Sequence, residues 1–144
     1  MSALRPGLPN PVPTALSEGF WKGAAQGRLL LQRCTGCGAQ RYAPAPACYR
    51  CQSQGWDWSE VSGRGRVFSY TWSHHPVHPG LRGLGVYNVS VIELEGTEGD
   101  PVRMLSFVTG VEPGTLRVDL AVEVHFDRVS DEIALPVFRP RAGG

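Results

Sequence analysis

The pattern of apolar and polar positions divides the chain into a short amphipathic helix and a series of short strands. Four apolar residues near the start recur at the spacing of one helix face: Leu16, Phe20, Trp21 and Ala24. This spacing predicts a helix over residues 14–26, with Thr14 as its N-terminal cap and Gly27 as its C-terminal stop. The helix is short, so we expect it to persist only by packing against another element.

Strand patterns follow the helix and surround two pairs of cysteines. Residues 28–33 predict a strand that enters the first pair, and residues 39–42 predict its paired return. Residues 56–61 predict a third strand, and the turn at residues 62–65 ends this module.

Beyond that turn, the chain predicts about five more strands with almost no helix. They cover residues 66–75, 86–95, 102–111, 121–129 and 133–138. In the first of them Phe68, Tyr70 and Trp72 share one side, which predicts that these aromatic residues form a core face. Short strands with Gly-rich corners fit a small closed barrel such as an OB-fold, and a flat sandwich is the alternative.

Composition and charge narrow the class of protein. Eighteen glycines and twelve prolines agree with frequent turns rather than long helices. A net charge of +1 does not predict the basic groove of a nucleic-acid binder.

No apolar run approaches the roughly 20 residues that span a membrane, and residues 1–13 lack the apolar core of a signal peptide. We therefore expect a flexible arm over residues 1–13 and a cytoplasmic location.

The cysteines predict a metal site. Two C-x-x-C pairs, Cys34 with Cys37 and Cys48 with Cys51, lie ten residues apart. Each pair places two thiolates on one tight turn, and two facing turns give tetrahedral coordination of one structural zinc ion. Gly38 suits the positive φ that follows such a turn. A redox dithiol and an iron site are the alternatives, although a redox dithiol needs a helix start that the strand pattern does not supply.

No catalytic constellation is evident elsewhere in the sequence. His74, His75 and His78 suggest a catalytic or metal trio, but their loop composition favours solvent-facing residues. Glu93 and Glu95 alternate with apolar neighbours, which predicts solvent-side strand positions rather than an acid/base pair. Because four thiolates leave no open coordination position, we expect zinc to act as a structural cross-link and not as a Lewis acid.

The order of these features resembles a known family, the zinc-ribbon plus OB-fold proteins associated with acyl-CoA enzymes, formerly a domain of unknown function. The matching stretches are Phe20-Trp21, GRLLLQRC at 27–34, Cys37-Gly38, GRGRVFSYT at 63–71, VYNVSVIEL at 86–94 and LPVFRP at 135–140. Two positions depart from the family pattern: Gln52 replaces the glycine of the second knuckle, and residues 117–120 lack the glycine usual there.

The resemblance implies a mainly β fold: a helix and rubredoxin-like zinc ribbon over residues 14–62, then an OB-fold barrel over residues 63–144. It also implies a non-catalytic accessory subunit. Proteins of this family bind lipid-transfer-type thiolases and retro-aldolases that act on acyl-CoA thioesters in steroid side-chain breakdown, and some are partnered with a MaoC-type hydratase. In those settings the chemistry belongs to the partner.

Candidate contact residues follow from this implied role. Phe20 and Trp21 are candidates for binding the partner, although they could equally pin the helix to the ribbon. His75 and Arg82 are candidates for contact with CoA at the complex, because OB-folds often bind ligands through the loop after their first strand. A nucleic-acid-binding ribbon and barrel is the alternative function.

Overall fold

The computed structural model describes residues 7–142, and residues 1–6 of the predicted arm lie outside this range. The elements are α1 (Glu18–Ala25), β1 (Leu29–Cys34), β2 (Gln40–Arg41), β3 (Trp56–Val61), β4 (Arg64–Ser73), a 3-10 helix (Pro79–Leu84), β5 (Tyr87–Leu94), β6 (Arg103–Ser106), β7 (Ala121–Arg128) and β8 (Ala134–Pro140). No helix in residues 7–142 is long and apolar enough to cross a membrane.

Helix α1 begins four residues later than predicted. Thr14 and Ser17 form a turn in which the backbone N–H groups of Ser17 and Glu18 donate to the Thr14 carbonyl at 3.0 and 2.8 Å. The turn delays the helix, so Ser17 is the N-cap and the predicted Thr14 cap is wrong. Gly27, at φ 73°, follows the last turn, as predicted.

The ribbon is a three-stranded antiparallel sheet in the order β2-β1-β3. Gln32 at its centre pairs with Arg41 of β2 and Trp58 of β3. Helix α1 lies against this sheet, and a Cβ on Gly19 would overlap the Trp58 indole. The glycines that weaken α1 as a free helix therefore allow its close approach.

The second half is one curled antiparallel sheet in the order β6-β5-β4-β7-β8. It forms an OB-fold half-barrel, because its last strand returns towards the segment after β6. Phe138 accepts a hydrogen bond from the Thr109 amide at 2.7 Å and donates to the Phe107 carbonyl at 3.0 Å. This parallel bridge joins the two ends of the sheet, so the flat sandwich does not apply.

Strand β4 carries the largest departure from the sequence prediction. The register shifts between Val67 and Ser69, which marks a β-bulge. Val67 is fully buried, whereas Phe68 and Tyr70 are 44% and 36% exposed. The predicted aromatic core face is therefore wrong for Phe68 and Tyr70. The Arg103 guanidinium instead lies 3.8 Å from the centre of the Phe68 ring, on the outside of the sheet.

One hydrophobic core joins the ribbon and the barrel. Its buried members are Phe20, Leu29, Leu31, Val67, Ile92, Leu94, Val102, Met104, Val108, Leu116, Val122 and Phe138. The first three come from α1 and β1, and the others come from the barrel. The predicted boundary at residues 62 and 63 lies between β3 and β4, and both sides of it contribute to the same core.

Candidate metal centre

The four cysteines lie together in an arrangement that fits one zinc ion. Their Sγ atoms all lie within 4.8 Å of one another. Cys34 and Cys51 are 3.5 Å apart, and Cys37 and Cys48 are 3.7 Å apart. A Zn–S bond of about 2.3 Å in a tetrahedral site gives sulfur–sulfur edges of about 3.8 Å. The chemistry and spacing of this donor set fit structural zinc, as predicted.

The two cysteine turns have the same backbone geometry. In the first, the Gly38 N–H donates to the Cys34 carbonyl, and in the second the Gln52 N–H donates to the Cys48 carbonyl, both at 2.9 Å. Gly38 has φ 79° and Gln52 has φ 61°. The second turn therefore keeps the left-handed conformation with a glutamine in the position that Gly38 occupies in the first turn.

Backbone N–H groups favour the thiolate form at the two buried cysteines. The backbone amide of Cys37, with that of Gly36, lowers the pKa of Cys34 to about 6. The amides of Cys51 and Arg50 lower the pKa of Cys48 in the same way. An N–H aimed at sulfur stabilises the charged form, and zinc binds that form.

Cys51 behaves differently because it lies beside another sulfur. A backbone hydrogen bond from Ser53 lowers its pKa, but the hydrogen bond with Cys34 and burial outweigh this and raise it to about 11. Zinc would be held by all four thiolates with no position left for substrate, so the group supplies cross-linking of the two turns. Neither cysteine pair precedes a helix, which does not fit the redox alternative.

The histidines form no second metal site in residues 7–142. The cysteine group is the one cluster there with three or more potential ligands within reach of each other. His74, His75 and His78 are exposed, as predicted for loop residues, and Arg82 is exposed in the 3-10 helix of the same loop. Contact of His75 and Arg82 with CoA stays a prediction.

Two other polar groups have structural roles. Glu93 is only 15% exposed and pairs with Arg66 and Arg103 at 2.9 and 3.0 Å. Hydrogen bonds from these guanidinium groups hold the pKa of Glu93 below its usual range, which does not suit a general acid. The Thr109 hydroxyl oxygen lies 2.9 Å from His125 Nε2, and the same hydroxyl donates a hydrogen bond to the Phe138 carbonyl at the barrel bridge.

The helix aromatics separate into a buried and a partly exposed residue. Phe20 is 4% exposed, and its ring centre lies 5.0 Å from Trp21 and 5.6 Å from Tyr42. Phe20 therefore pins α1 to the core, the alternative that the sequence left open, and it also lines the groove beside Trp21, so its contact with a partner stays a prediction. Trp21 is half-buried and lines a groove of about 220 Å³ between α1, β6 and β8.

Sequence reasoning missed an apolar surface along β6. Leu105 is 64% exposed, and Leu105 and Phe107 line both the groove beside Trp21 and a second groove of about 280 Å³ beside Tyr87. We call this region the β6 surface and define it by Trp21, Tyr42, Tyr87, Leu105 and Phe107. The alternation of β6, with Met104 inward and Leu105 outward, is the signal that indicates it.

Comparison with known proteins gives two family matches that divide the chain. Residues 21–57 match the family described as "ChsH2, rubredoxin-like zinc ribbon domain". Residues 58–127 match the family described as "ChsH2, C-terminal OB-fold domain".

Two solved structures are similar to this chain. One is named "Ltp2-ChsH2(DUF35) aldolase"; its matched chain is 33% identical with a TM-score of 0.78, and the likeness covers 91% of this chain and 98% of that one. The other is a protein of unknown function from the DUF35 family of Sulfolobus solfataricus. It is 17% identical with a TM-score of 0.61, covers 88% of this chain and 86% of that one, and shows the fold alone.

Two curated relatives are also similar. A "Probable enoyl-CoA hydratase alpha subunit" of Thermomonospora curvata is 38% identical over 122 residues, which are 84% of this chain and 36% of the relative. The "3-oxo-4,17-pregnadiene-20-carboxyl-CoA hydratase alpha subunit" of Mycobacterium tuberculosis is 34% identical over 107 residues, 74% of this chain and 32% of the relative. The chain thus spans about a third of the length of the curated relatives it matches.

Proposed function

Because this chain belongs to the ChsH2 family of zinc-ribbon and OB-fold proteins, we propose that it is a non-catalytic accessory subunit of a thiolase-fold enzyme. The enzyme is a lipid-transfer-type retro-aldolase or thiolase that acts on acyl-CoA thioesters. The likeness to the aldolase structure carries the proposal, since it includes the ribbon and the barrel together and covers 98% of the matched chain.

The substrate class we propose is an acyl-CoA thioester from a steroid side chain. It is supported by the mycobacterial relative, whose name specifies a pregnadiene carboxyl-CoA, a thioester on a steroid skeleton. A hydratase adds water across a carbon–carbon double bond, and the hydroxyacyl product is what a retro-aldolase cleaves. A MaoC-type hydratase is therefore a second proposed partner, which acts one step earlier.

The chemistry of the described residues supports a non-catalytic role. The four cysteines fit a coordinatively closed metal site, and Glu93 is neutralised by two arginines. The reacting groups would then belong to the partner. In this proposal the chain contributes a folded surface that keeps the partner soluble and its active site assembled.

The β6 surface is the docking surface we propose for the partner. Leu105 and Trp21 leave apolar area uncovered in this chain, and partly buried aromatic residues are the usual anchors of protein interfaces. Phe20 lies directly behind Trp21 and holds it in place through an edge-to-face contact of 5.0 Å. Trp21 is therefore held in position before a partner binds, which reduces the entropy lost on binding.

The nucleic-acid alternative has weaker support. In the described residues, six arginines form ion pairs with carboxylates: Arg28, Arg33, Arg66, Arg103, Arg139 and Arg141. Paired guanidinium groups do not make the basic groove that binds phosphates. Phe68 is exposed and could stack on a base, so the charge pattern is the observation that speaks against nucleic acid.

We expect Leu105→Glu to abolish co-purification with a co-expressed thiolase-fold aldolase of the same genome. A carboxylate at this exposed strand position leaves the fold intact but would be buried without a partner at the interface. Gel filtration of the co-expressed pair measures the complex, and aldol cleavage of a hydroxyacyl-CoA is expected only when both chains are present. Val118→Glu is the matched control, since Val118 is 54% exposed and lies outside the β6 surface.

Two results would contradict these proposals in different ways. An aldolase that is soluble and fully active alone, with no complex on gel filtration, would show that the accessory-subunit function is wrong. A complex that survives Leu105→Glu as well as Val118→Glu would leave the function standing and place the docking surface elsewhere.

CoA contact is proposed for the loop between β4 and β5. Arg82 is exposed there and forms no ion pair with the described residues, so its guanidinium is available for the phosphates of CoA. We expect Arg82→Ala to weaken CoA binding to the complex by about tenfold, a typical loss for one charged hydrogen bond. Calorimetric titration measures it, with Arg117→Ala as the exposed control. Equal CoA affinity in Arg82→Ala and Arg117→Ala would exclude Arg82 as a CoA contact. An unchanged CoA affinity in His75→Ala would exclude His75.

A further inference from the structure

The hairpin between β5 and β6 lies on the zinc ribbon instead of projecting into solvent. The Gln40 N–H donates to the Glu98 carbonyl at 2.9 Å, and the Glu98 N–H donates to Gln40 Oε1 at 2.6 Å. The Asp100 N–H donates to the Tyr49 hydroxyl at 3.1 Å. Three hydrogen bonds thus join the tip of a barrel hairpin to residues about 50 to 60 positions earlier in the chain.

The two ribbon residues in these bonds are held by the two cysteine turns. Gln40 follows Ala39, whose carbonyl accepts from the Cys34 N–H at 2.9 Å, so the first turn fixes its position. Tyr49 lies inside the second turn, directly after Cys48. The contact at Gln40 therefore depends on the first half of the metal site, and the contact at Tyr49 depends on the second half.

The contact between the hairpin and the ribbon is also sterically close. Gly99 has φ 94°, and a Cβ there would lie 3.0 Å from the Tyr49 hydroxyl and 3.1 Å from the Ala39 Cβ. Gln40 is only 5% exposed, and its Nε2 donates to Ser59 on β3 at 2.7 Å. All the polar atoms of this side chain are satisfied only while the hairpin and the ribbon sheet are both in place.

We infer that the hairpin at residues 96–100 and the two cysteine turns form a clasp, through which metal loading of the ribbon controls the order of β6. Zinc fixes the turns, the turns hold Gln40 and Tyr49, and these residues hold the hairpin from which β6 departs. Since β6 carries Leu105, the clasp would regulate the docking surface. That last step alone rests on the proposed function.

Thermodynamic linkage makes the inference testable from the barrel side. If zinc favours the docked hairpin by some factor, docking favours zinc binding by the same factor, so a change that undocks the hairpin weakens zinc binding by up to that factor. Gly99→Ala is such a change, because it places a methyl group against the ribbon. Gly96→Ala is its matched control in the same hairpin, since Gly96 also has a positive φ, 70°, but nothing lies within 4 Å of an added Cβ.

The test uses the full chain without a partner. Zinc affinity is measured by competition with a chromophoric chelator, and backbone order by hydrogen–deuterium exchange of peptides from β6, with β7 as the reference strand. We expect Gly99→Ala to weaken zinc binding at least about fivefold relative to Gly96→Ala, the lower end of typical coupling, and to speed exchange in β6 but not in β7. Equal zinc affinity and equal exchange in the two variants would overturn the inference.

A second variant removes a single contact without adding volume. Tyr49→Phe deletes the hydroxyl that accepts from Asp100, and Tyr70→Phe deletes an exposed hydroxyl on β4 as its control. We expect full zinc content in both and faster exchange at residues 98–106 in Tyr49→Phe alone. Faster exchange in neither variant would count against the clasp. Neither zinc binding nor hydrogen exchange of this chain involves the partner. A negative result would therefore contradict the clasp without contradicting the accessory-subunit proposal.

Discussion

Cys48→Ser is expected to release the metal and unfold the ribbon. Cys48 is 2% exposed, and the small cluster it forms with Cys34 and Ala39 has little apolar area of its own. Structural zinc contributes an apparent free energy of about 10–16 kcal/mol in zinc-finger peptides at neutral pH, which is as much as the whole stability of a typical domain. The ribbon sheet, in which β2 has only two residues, cannot replace that stabilisation.

Elemental analysis and circular dichroism measure this result. The native chain is expected to hold about one zinc ion, and Cys48→Ser to hold none and to lose near-ultraviolet signal from Trp56 and Trp58 on β3. Thr35→Ser is the matched control, because Thr35 lies in the first turn without being a ligand. A chain that keeps its fold and its near-ultraviolet signal without zinc would contradict the assignment of a structural metal site.

Gly63→Ala is expected to lower the free energy of unfolding by about 2–5 kcal/mol, from left-handed strain of about 1–2 kcal/mol and overpacking of about 1–3 kcal/mol. Gly63 joins the ribbon to the barrel and has φ 76°. An added Cβ would collide with the Val124 side chain, and the Val124 N–H donates to the Gly63 carbonyl at 2.8 Å. The methyl group therefore has no direction in which to move away.

Urea unfolding at equal zinc content measures the loss, and two glycines separate its causes. Gly110 has φ 70° with nothing within 4 Å of an added Cβ, so Gly110→Ala reports strain alone. Gly83 has open space and no positive φ, so Gly83→Ala is expected to change stability by less than about 0.5 kcal/mol. If Gly63→Ala and Gly110→Ala were equally stable, the steric contact with Val124 would be refuted.

Two non-glycine residues adopt the left-handed backbone conformation that usually requires glycine. Gln52 and Asp119 are the non-glycine residues with positive φ in residues 7–142, at 61° and 67°. Asp119 keeps its left-handed conformation, because its N–H donates to the Val67 carbonyl at 2.8 Å and its carboxylate lies 3.3 Å from the Arg66 guanidinium. The surrounding contacts hold the strained conformation.

Local spacing determined the metal site and most of the strands. The four cysteines that fit a zinc site could be predicted because their separation along the chain reflects two tight turns, which are local structures. Strand β3 was predicted at its observed bounds, Trp56–Val61, and β7 to within one residue. Alternation of apolar and polar residues is itself a local consequence of the extended backbone, so it can be seen without the fold.

Only the tertiary structure decided which side chains face the core and which remain exposed. A single bulge in β4 reversed the orientation expected for Phe68, and the position of α1 between ribbon and barrel buried Phe20 while leaving Trp21 at the surface. The clasp joins Gln40 to Glu98 across 58 positions of sequence. Contacts of this kind depend on how two sheets pack against each other, and no spacing within either stretch of sequence encodes that packing.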